Sequence, residues 1–182
     1  MQRCSWVNLK NEKYIYYHDF VWGIPNHNDQ ELFEYLTLEI FQAGLTWETI
    51  LNKQKYFKNA FDDFDIKKIK QYNEEKIEEL LKDKNIIRNR RKILATINNA
   101  QVFSDIQDKY GSFDKYIWHF TNFKQKQYKK VHTDSALSRK IANDLKRKGM
   151  QFIGSKIIYS YLEAIGILDN HQKCCFKRRD YV

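Results

Sequence analysis

The sequence predicts an all-α fold in a single domain that spans residues 1–182. The chain contains one proline and six glycines, which leaves few residues for the many turns of a β-sandwich. Its apolar residues recur at three- and four-residue spacing, and no stretch shows the alternation typical of a half-buried strand. Because 42% of the residues are hydrophobic, the chain can form one core of its own.

The first two predicted helices lie within residues 28–61. Asn28 is predicted to cap the first in a capping box, with the Glu31 side chain reaching back to it. Gly44 is predicted to end this helix, and Thr46 to cap the next. The residues expected inside are Leu32, Phe33, Leu36 and Ile40 in the first helix, and Ile50, Leu51, Phe57 and Phe61 in the second.

Three short helices and a long one are predicted next. Asp65 and Asn73 are typical caps of two short helices, and the long helix follows Arg88. Ser112 is predicted to cap the third short helix, which comes after the long one. The residues expected to face the core are Ile66, Ile69, Ile77, Leu80, Leu81, Ile93, Leu94, Ile97, Phe113, Tyr116 and Ile117.

Two more helices are predicted in the last third of the chain. Thr133 or Asp134 is expected to begin the first of them. The final helix is expected from about Ser155 to Ile165, and Gly166 suits its C-terminal cap. The residues expected inside are Leu137, Ile141 and Leu145 in the first helix, and Ile157, Ile158, Tyr161 and Leu162 in the second.

The charge of the chain and its lack of long apolar runs limit the function classes. A formal net charge of +9 suits a polyanionic partner, although a Lys-, Asn- and Ile-rich composition explains it equally well. No apolar run approaches the length needed to span a bilayer, and the first residues lack a secretory signal pattern. We therefore expect a cytoplasmic protein without membrane contact. We also expect the protein to be a monomer.

The cysteines lie only near the two ends of the sequence. Disulfides rarely persist in the cytosol, so an odd number of cysteines indicates free thiols or metal ligands. A structural zinc site takes four nitrogen or sulfur ligands. Cys4 and His18 form one local pair. His171 and Cys175 form a second, and Cys174 could replace Cys175. Spacing alone leaves that choice open, and surface thiols and histidines remain the alternative.

Several short motifs follow one another in a specific order. They are RCSW at 3–6, YHD at 17–19, WGIP at 22–25, QAGLTW at 42–47, IIRNRRKI at 86–93, FIG at 152–154 and GILDNH at 166–171. Together they make the chain resemble the 3-methyladenine DNA glycosylase I family, within the helix-hairpin-helix DNA glycosylase superfamily. The resemblance covers nearly the whole chain. It implies a DNA repair hydrolase that flips out 3-methyladenine and excises it by hydrolysing the N-glycosidic bond.

The resemblance implies a structural zinc ion that joins the N- and C-terminal segments. The ligands of the family fall on Cys4, His18, His171 and Cys175 in this sequence. Such an ion would order two chain ends that otherwise fray, because the free energy of metal binding contributes to folding.

The resemblance also implies an aromatic pocket for the alkylated base. 3-Methyladenine in DNA is cationic, so aromatic faces attract it through dispersion and cation–π interaction. The substrate-binding residues of the family fall on Trp6, Tyr14 and Trp47, and the catalytic residues on Glu39 and Tyr17. Glu39 is expected to accept hydrogen bonds from the base. Without the resemblance, each aromatic residue is more typical of a core, and Glu39 of a helix surface.

Residues 149–154 are predicted to form the turn of a helix-hairpin-helix element that binds double-stranded DNA with alkylated bases. Gly154 lets backbone N–H groups approach a phosphate at a helix N-terminus, with Ser155 and Lys156 beside it. The match is loose, since Phe152 stands where many members of the superfamily have glycine. An ordinary helix–helix turn is the alternative.

Basic residues elsewhere extend the predicted DNA-binding surface. Arg88, Arg90, Arg91 and Lys92 are expected to contribute positive charge, although a solvated helix face explains this run as well. Lys156 lies at an offset similar to that of the Schiff-base lysine in bifunctional superfamily members. The partner carboxylate of that lysine is missing, so base release without strand cleavage is expected.

Three departures from the family pattern concern rate and substrate breadth. Val21 stands where the family commonly has glutamate, and Ile40 replaces a usual glycine. Residues 169–171 read Asp-Asn-His, where the family more often has Asn-Asp-His. The aspartate of most superfamily relatives is also missing near residues 172–174. Catalysis is therefore expected to rest on an already labile base and a positioned water.

Two other functions compete with the enzyme. The main alternative is a non-catalytic, zinc-containing DNA-binding protein of the same fold, and the third is an RNA-associated basic protein. Glu39 within an aromatic pocket favours the enzyme, because simple DNA binding needs no polar group there. Chromatography of bases released from methylated DNA would distinguish the three.

Overall fold

The structure, a computed structural model, describes residues 1–128 and 132–179. These residues form helices and turns without a β-sheet, which confirms the all-α class. Extended pairing within them is limited to one bridge between Lys126 and Leu168. The described helices are α1 (Glu12–Phe20), α2 (Asp29–Gln42), α3 (Trp47–Ala60), a 3-10 turn (Asp62–Phe64), α4 (Ile66–Ile69), α5 (Glu74–Lys82), α6 (Arg90–Tyr110), α7 (Phe113–His119), α8 (Ala136–Arg147) and α9 (Ser155–Ala164).

Side-chain caps begin most of these helices, as the sequence predicts. Asn28 begins α2 by accepting hydrogen bonds from the backbone N–H groups of Gln30 and Glu31. Such caps satisfy N–H groups that the first turn of a helix cannot bond internally. Gly44 and Gly166 follow the ends of α2 and α9 with positive φ angles. The other predicted caps that are observed are Thr46 for α3, Asp65 for α4, Asn73 for α5 and Ser112 for α7.

The predicted capping box at the start of α2 is only half formed. The backbone N–H of Asn28 donates to Oδ1 of Asn26 at 2.9 Å, so it is not available to Glu31. The Glu31 carboxylate instead accepts a hydrogen bond of 2.7 Å from Nδ2 of Asn26. The expectation that Glu31 reaches back to Asn28 was wrong, because the side chain of the loop residue Asn26 bonds both the Asn28 N–H and the Glu31 carboxylate.

Helix α8 begins later than predicted. Its cap is Ser135, which forms a reciprocal capping box with Ser138, and neither Thr133 nor Asp134 is the cap. The Asp134 carboxylate accepts hydrogen bonds from Ser138 and Arg139 instead. Three consecutive residues able to cap a helix make the start ambiguous in the sequence, and the side-chain partners in α8 decide it.

Helix α1 is not among the predicted helices, and one side chain of α6 differs from expectation. The apolar residues of α1 share no single face: Tyr17 is buried, whereas Tyr16 and Phe20 are exposed. Without an apolar stripe, periodicity cannot reveal a helix. In α6, Leu94 was expected to face the core with Ile93, yet its side chain is 43% exposed. Adjacent residues of a helix point about 100° apart, so one of the two must turn outward.

Helix α2 lies at the centre of the core. All its residues from 32 to 41 are buried, and it contacts α3, α6, α7 and α9. Burying a carboxylate is costly unless it is paired. Glu34 is paired, because Lys58 lies 3.0 Å from one of its oxygens and Gln54 donates to the other at 2.7 Å. Glu39 is equally buried but has no ion pair among the described residues.

The end of α9 packs directly against the loop that joins α1 to α2. Gly166 has a φ of +72°, and a Cβ atom at this position would lie 2.1 Å from the carbonyl carbon of Ile24. Only glycine fits such an approach. Nearby, the backbone N–H of Gly23 donates to the carbonyl oxygen of Glu163 at 2.9 Å. These contacts bring the last helix beside residues from the start of the chain.

Candidate active site and metal centre

A cavity of about 250 Å³ opens between α1, α2, the start of α3 and α9. The structure places around it all five residues that the resemblance assigns to the base pocket. These are Trp6, Tyr14, Tyr17, Glu39 and Trp47. The other lining residues are Trp22, Gln42, His132, Ser160, Glu163, Asn170 and Gln172. The roles of the five residues remain predictions.

Aromatic rings make up much of the wall of this cavity. The ring centres of Tyr17 and Trp47 are 5.2 Å apart, and those of Trp6 and Tyr14 are 5.7 Å apart. The indole N–H of Trp47 is buried, and no acceptor among the described residues bonds it. The cavity therefore offers flat apolar faces together with one hydrogen-bond donor that has no partner in the described chain.

Glu39 brings a carboxyl group into the apolar wall. It comes from the central helix α2, and only 4% of its surface is exposed. Burial, and secondarily the charge of Glu163, raise the pKa of Glu39 well above its ordinary value. Tyr17, from α1, is also buried, and burial raises the pKa of its phenol. The cavity thus contains a phenol and a carboxyl group for which burial disfavours the ionised form, and an opposite charge nearby would favour ionisation of the carboxyl group.

Glu163 is a second acidic residue of the cavity, and it was not among the residues expected from the sequence. Burial raises the pKa of Glu163 to about 7, and the hydrogen bond from Asn170 partly opposes this rise. The residue lies in the apolar stretch of α9 beside Leu162 and Ala164. A carboxylate inside an apolar helical stretch is a signal that the sequence does contain, but Glu39 was identified from the resemblance and Glu163 was not.

Lys92 is buried beneath the loop that follows α2. Its ammonium group donates hydrogen bonds to the carbonyl oxygens of Phe41 at 2.9 Å and Ala43 at 2.8 Å. The expectation that Lys92 forms part of a positive surface is therefore wrong, because its charge is used inside the protein. The loop that it holds joins Gln42, at the end of α2, to Trp47, at the start of α3, and both residues line the cavity.

The three arginines of the same run have different environments. Arg90 forms ion pairs with Glu74 and Glu78 of α5. Arg91 lies with its guanidinium 5.5 Å from the ring centre of Phe152. Arg88 is exposed, just before α6. The three arginines therefore lie at the surface, as predicted. The charge of Arg90, however, is neutralised by its acidic neighbours.

The turn between α8 and α9 has an open glycine and a strained phenylalanine. A Cβ atom added to Gly154 would meet no neighbouring atom within 4 Å. Gly154 precedes Ser155 and Lys156, the first residues of α9, and no side chain caps this helix. Phe152 has a φ of +55°, in the left-handed region that favours glycine. A glycine at position 152 would adopt this backbone without strain.

A buried cluster of possible metal ligands joins the two ends of the sequence. The ligand atoms of Cys4, His18 and Cys175 all lie within 4.8 Å of one another. Nε2 of His18 is 3.3 Å from Sγ of Cys175. Cys174 is exposed to solvent. The fold therefore brings Cys175, and not Cys174, into the cluster.

His171 lies beside this cluster but is not one of the three residues within 4.8 Å. Its ring centre is 5.1 Å from that of His18. Its Nδ1 is 2.7 Å from Oδ1 of Asp169, and its Nε2 is buried without a hydrogen-bond partner in the described chain. An unsatisfied buried polar atom is costly, and a metal ion would use the lone pair of this nitrogen.

Carboxylates orient both imidazole rings. Asp19 holds Nδ1 of His18 at 2.7 Å, and the guanidinium of Arg3 donates to Asp19. Ligating histidines typically have such a partner on the second ring nitrogen. Burial raises the pKa of the Cys4 thiol to about 12, a cost that a bound dication would offset. The donor set of two thiols and two imidazoles suits zinc.

Known proteins resemble this chain over nearly its whole length. The family model for methyladenine glycosylase matches residues 6–178. The chain is 35% identical over 183 residues to DNA-3-methyladenine glycosylase 1 of Escherichia coli K12, covering 97% of each protein. It is 34% identical over 178 residues to DNA-3-methyladenine glycosylase of Haemophilus influenzae, covering 95% of this chain and 96% of that one.

Solved structures agree with these sequence matches. A crystal structure of 3-methyladenine DNA glycosylase I superposes with a TM-score of 0.94 and 36% identity, covering 98% of this chain and all of that chain (100%). The Staphylococcus aureus 3-methyladenine DNA glycosylase I, studied for 3-methyladenine recognition, gives a TM-score of 0.93 at 36% identity, over 100% of this chain and 99% of that one. No helix within residues 1–128 and 132–179 has the length and apolar character of a membrane span.

Proposed function

Because the chain belongs to the methyladenine glycosylase family, we propose that its aromatic cavity receives a flipped-out 3-methyladenine base and that Glu39 recognises that base. The activity is that of a DNA-3-methyladenine glycosylase in excision repair of alkylated DNA. We assign recognition of the base to the cavity wall and binding of the DNA backbone to the turn before α9.

The burial of Glu39 in an aromatic wall is the observation that supports the proposal most. A carboxyl group at 4% exposure, without an ion pair among the described residues, destabilises the empty protein. A cationic base entering the cavity supplies the missing opposite charge. The attraction then lowers the pKa of Glu39, so that the carboxylate accepts hydrogen bonds from the base. A neutral base gains much less from the same position.

The aromatic residues complete recognition of the base. A glycosylase reaches its bond only after the nucleotide has rotated out of the duplex. The faces of Trp47 and Tyr17 offer stacking for the flipped base, and the cation–π attraction favours the methylated form. The phenol of Tyr17 is neutral and can donate a hydrogen bond. Trp6 and Tyr14 enclose the other side of the cavity.

The chemical step needs little acid–base assistance. Methylation at N3 already makes the base a good leaving group, and the sugar passes through an oxocarbenium-like state. The protein therefore contributes orientation, selection of the charged base and exclusion of undamaged bases. We expect hydrolysis of the glycosidic bond without a covalent enzyme intermediate, since Lys156, at the start of α9, has no ion pair among the described residues.

The cluster at the chain ends supports a structural zinc ion. Cys4, His18, His171 and Cys175 would hold it, with Asp19 and Asp169 orienting the two imidazoles. This assignment rests on the buried thiols and on the unpartnered Nε2 of His171. The ion would link residues 4 and 18 to residues 171 and 175, and this role is structural. No catalytic step involves it.

The turn between α8 and α9 is proposed as the DNA-binding hairpin of a helix-hairpin-helix element. The absence of described atoms near a Gly154 Cβ leaves room for a phosphate against the backbone N–H groups at the start of α9. Ser155 and Lys156 extend this edge. The net charge of +9 supplies long-range attraction for double-stranded DNA.

Release of free base from methylated duplex DNA tests the proposal. The wild type should release 3-methyladenine, and Glu39→Gln should slow that release about hundredfold, as for loss of one electrostatic contact in a transition state. Glu34→Gln is the matched control, because Glu34 is an equally buried carboxylate of α2 outside the cavity. Wild-type activity in Glu39→Gln would remove Glu39 from the mechanism. A wild type that binds DNA but releases no base would favour the non-catalytic alternative.

A further inference from the structure

Glu163 and Asn170 form a hydrogen-bonded pair in the wall of the cavity. Nδ2 of Asn170 donates to Oε1 of Glu163 at 2.8 Å and to the hydroxyl oxygen of Tyr159 at 2.8 Å. Oδ1 of Asn170 accepts from the backbone N–H of Tyr128 at 3.2 Å. Because the backbone N–H requires an acceptor, the orientation of the amide is fixed, and its N–H group must face Glu163.

This pair makes Glu163 better suited than Glu39 to hold a negative charge. A hydrogen bond to a carboxylate stabilises the ionised form, and Glu163 has one whereas Glu39 has none among the described residues. Two carboxyl groups in one small cavity do not both ionise readily, so the group that already accepts a hydrogen bond ionises first.

We infer that Glu163, held by Asn170, is the anion that the cavity presents to a cationic alkylated base, so that charge recognition uses two carboxyl groups. This inference rests on the proposed function. Glu39 then contacts the edge of the base, and Glu163 supplies the negative charge that favours a cation over a neutral base of the same shape. The titratable groups that line the cavity with Glu163 are Glu39 from α2, Tyr14 and Tyr17 from α1 and His132 before α8. Tyr159 lies one turn before Glu163 on the same helix, α9.

Exchanging the carboxylate and the amide between positions 163 and 170 would distinguish the effect of the negative charge from a structural effect of the hydrogen bond. Asn170, the hydrogen-bond donor to Glu163, also lines the cavity. Glu163→Gln keeps an acceptor for the Asn170 amide but removes the charge. The double change Glu163→Gln with Asn170→Asp returns one carboxylate to the same cavity and keeps an amide–carboxylate hydrogen bond. A structural role alone would not distinguish the single from the double variant in their preference for charge.

Binding of two small bases measures that preference without DNA or catalysis. 3,9-Dimethyladenine is permanently cationic, and 9-methyladenine is its neutral counterpart. Quenching of tryptophan fluorescence reports occupation of a cavity that Trp6 and Trp47 line. We expect the ratio of the two affinities to fall about tenfold or more in Glu163→Gln, since a buried opposite charge is lost. The ratio should return within about threefold of wild type in the double variant.

Excision of 3-methyladenine under single-turnover conditions gives the second measurement. Glu163→Gln should be slowed about tenfold to hundredfold and the double variant much less, while Glu34→Gln serves as the control. An unchanged affinity ratio in Glu163→Gln, or a double variant as impaired as the single one, would overturn the inference. Absence of excision by the wild type would instead contradict the proposed function, and the binding ratio would still decide the role of Glu163.

Discussion

The ammonium nitrogen of Lys92 lies 2.9 Å from the carbonyl oxygen of Phe41 and so connects the first turn of α6 to the last turn of α2. The carbonyls at the end of a helix lack partners within that helix, and a cation there also suits the helix dipole. The price of this arrangement is a buried charge, and burial lowers the pKa of Lys92. The contact fixes the loop between Gln42 and Trp47, two residues that line the cavity.

Lys92→Met should therefore destabilise the protein while preserving the volume of the side chain. We expect a loss of about 1–3 kcal/mol in the free energy of unfolding, because two carbonyl oxygens lose their donor. Urea denaturation followed by circular dichroism measures it. Lys84→Met, at an exposed lysine, is the control and should leave the midpoint unchanged. Equal stability of the two variants would contradict the role given to Lys92.

The metal cluster predicts about one zinc ion per chain in protein purified without chelator. Cys4→Ser and His171→Asn should each reduce the zinc content and lower the melting temperature. Cys174→Ser should change neither, because Cys174 is exposed and outside the cluster. Elemental analysis and thermal denaturation together check this. Metal-free protein of full stability, or zinc loss in Cys174→Ser, would contradict the assignment.

DNA affinity should fall steeply with salt, because a basic surface releases counterions on binding. Gly154→Leu should weaken binding about tenfold or more by occupying the space for a phosphate. The stability of this variant should stay near wild type, since an added Cβ meets no neighbour. Fluorescence anisotropy at several salt concentrations measures both effects. Full binding by Gly154→Leu would remove the turn from the DNA interface.

Base release should occur without cleavage of the DNA strand. A lysine nucleophile needs a lowered pKa and a carboxylate partner, whereas Lys156 lies at the start of α9 with no ion pair among the described residues. Borohydride treatment of the enzyme on methylated or abasic DNA should therefore trap no covalent adduct. An adduct that disappears in Lys156→Ala would show a bifunctional enzyme.

The stability of the protein should depend on pH through Glu163. Its pKa is raised from the ordinary value of 4.5 to about 7, so the folded state retains a proton that the unfolded state releases. Below its ordinary pKa, the carboxyl group is protonated in both states and does not lower the free energy of unfolding. As pH rises towards 7, the unfolded state releases the proton first, and the free energy of unfolding falls. The free energy of unfolding of Glu163→Gln, relative to that of wild type, should therefore increase by on the order of 3 kcal/mol as the pH rises from below 4.5 to above 7. Denaturation curves at pH 4.5 and pH 8 test this, and a constant difference would contradict it.

Local rules in the sequence were sufficient for most helices of this fold. Caps such as Thr46 and Ser112 depend on neighbours within three residues, and those neighbours are visible in the sequence. Helix α1 was not predictable from periodicity, because its aromatic residues serve a cavity and an exposed face as well as the core. The aromatic residues of α1 therefore do not show the three- and four-residue apolar spacing on which helix prediction depends.

The candidate site shows the same division. Glu39 could be found from the resemblance, but the pairing of Glu163 with Asn170 depends on how α9 ends, which no local rule specifies. The burial of Lys92 was also out of reach, since its two acceptors lie 51 and 49 residues away along the chain. Basic residues are mostly exposed, and only tertiary contacts identify the exception.

The joining of Cys4 and His18 to residues near position 175 has a consequence for biosynthesis. A chain leaves the ribosome N-terminus first, so Cys4 waits for its partners until nearly all of the described residues have been translated. Most helices can pack before then, whereas the buried cluster cannot form. A chain that stops before Cys175 keeps the Cys4 thiol exposed on an unanchored end, where proteases cleave most readily. The cluster therefore forms only in chains that extend as far as Cys175.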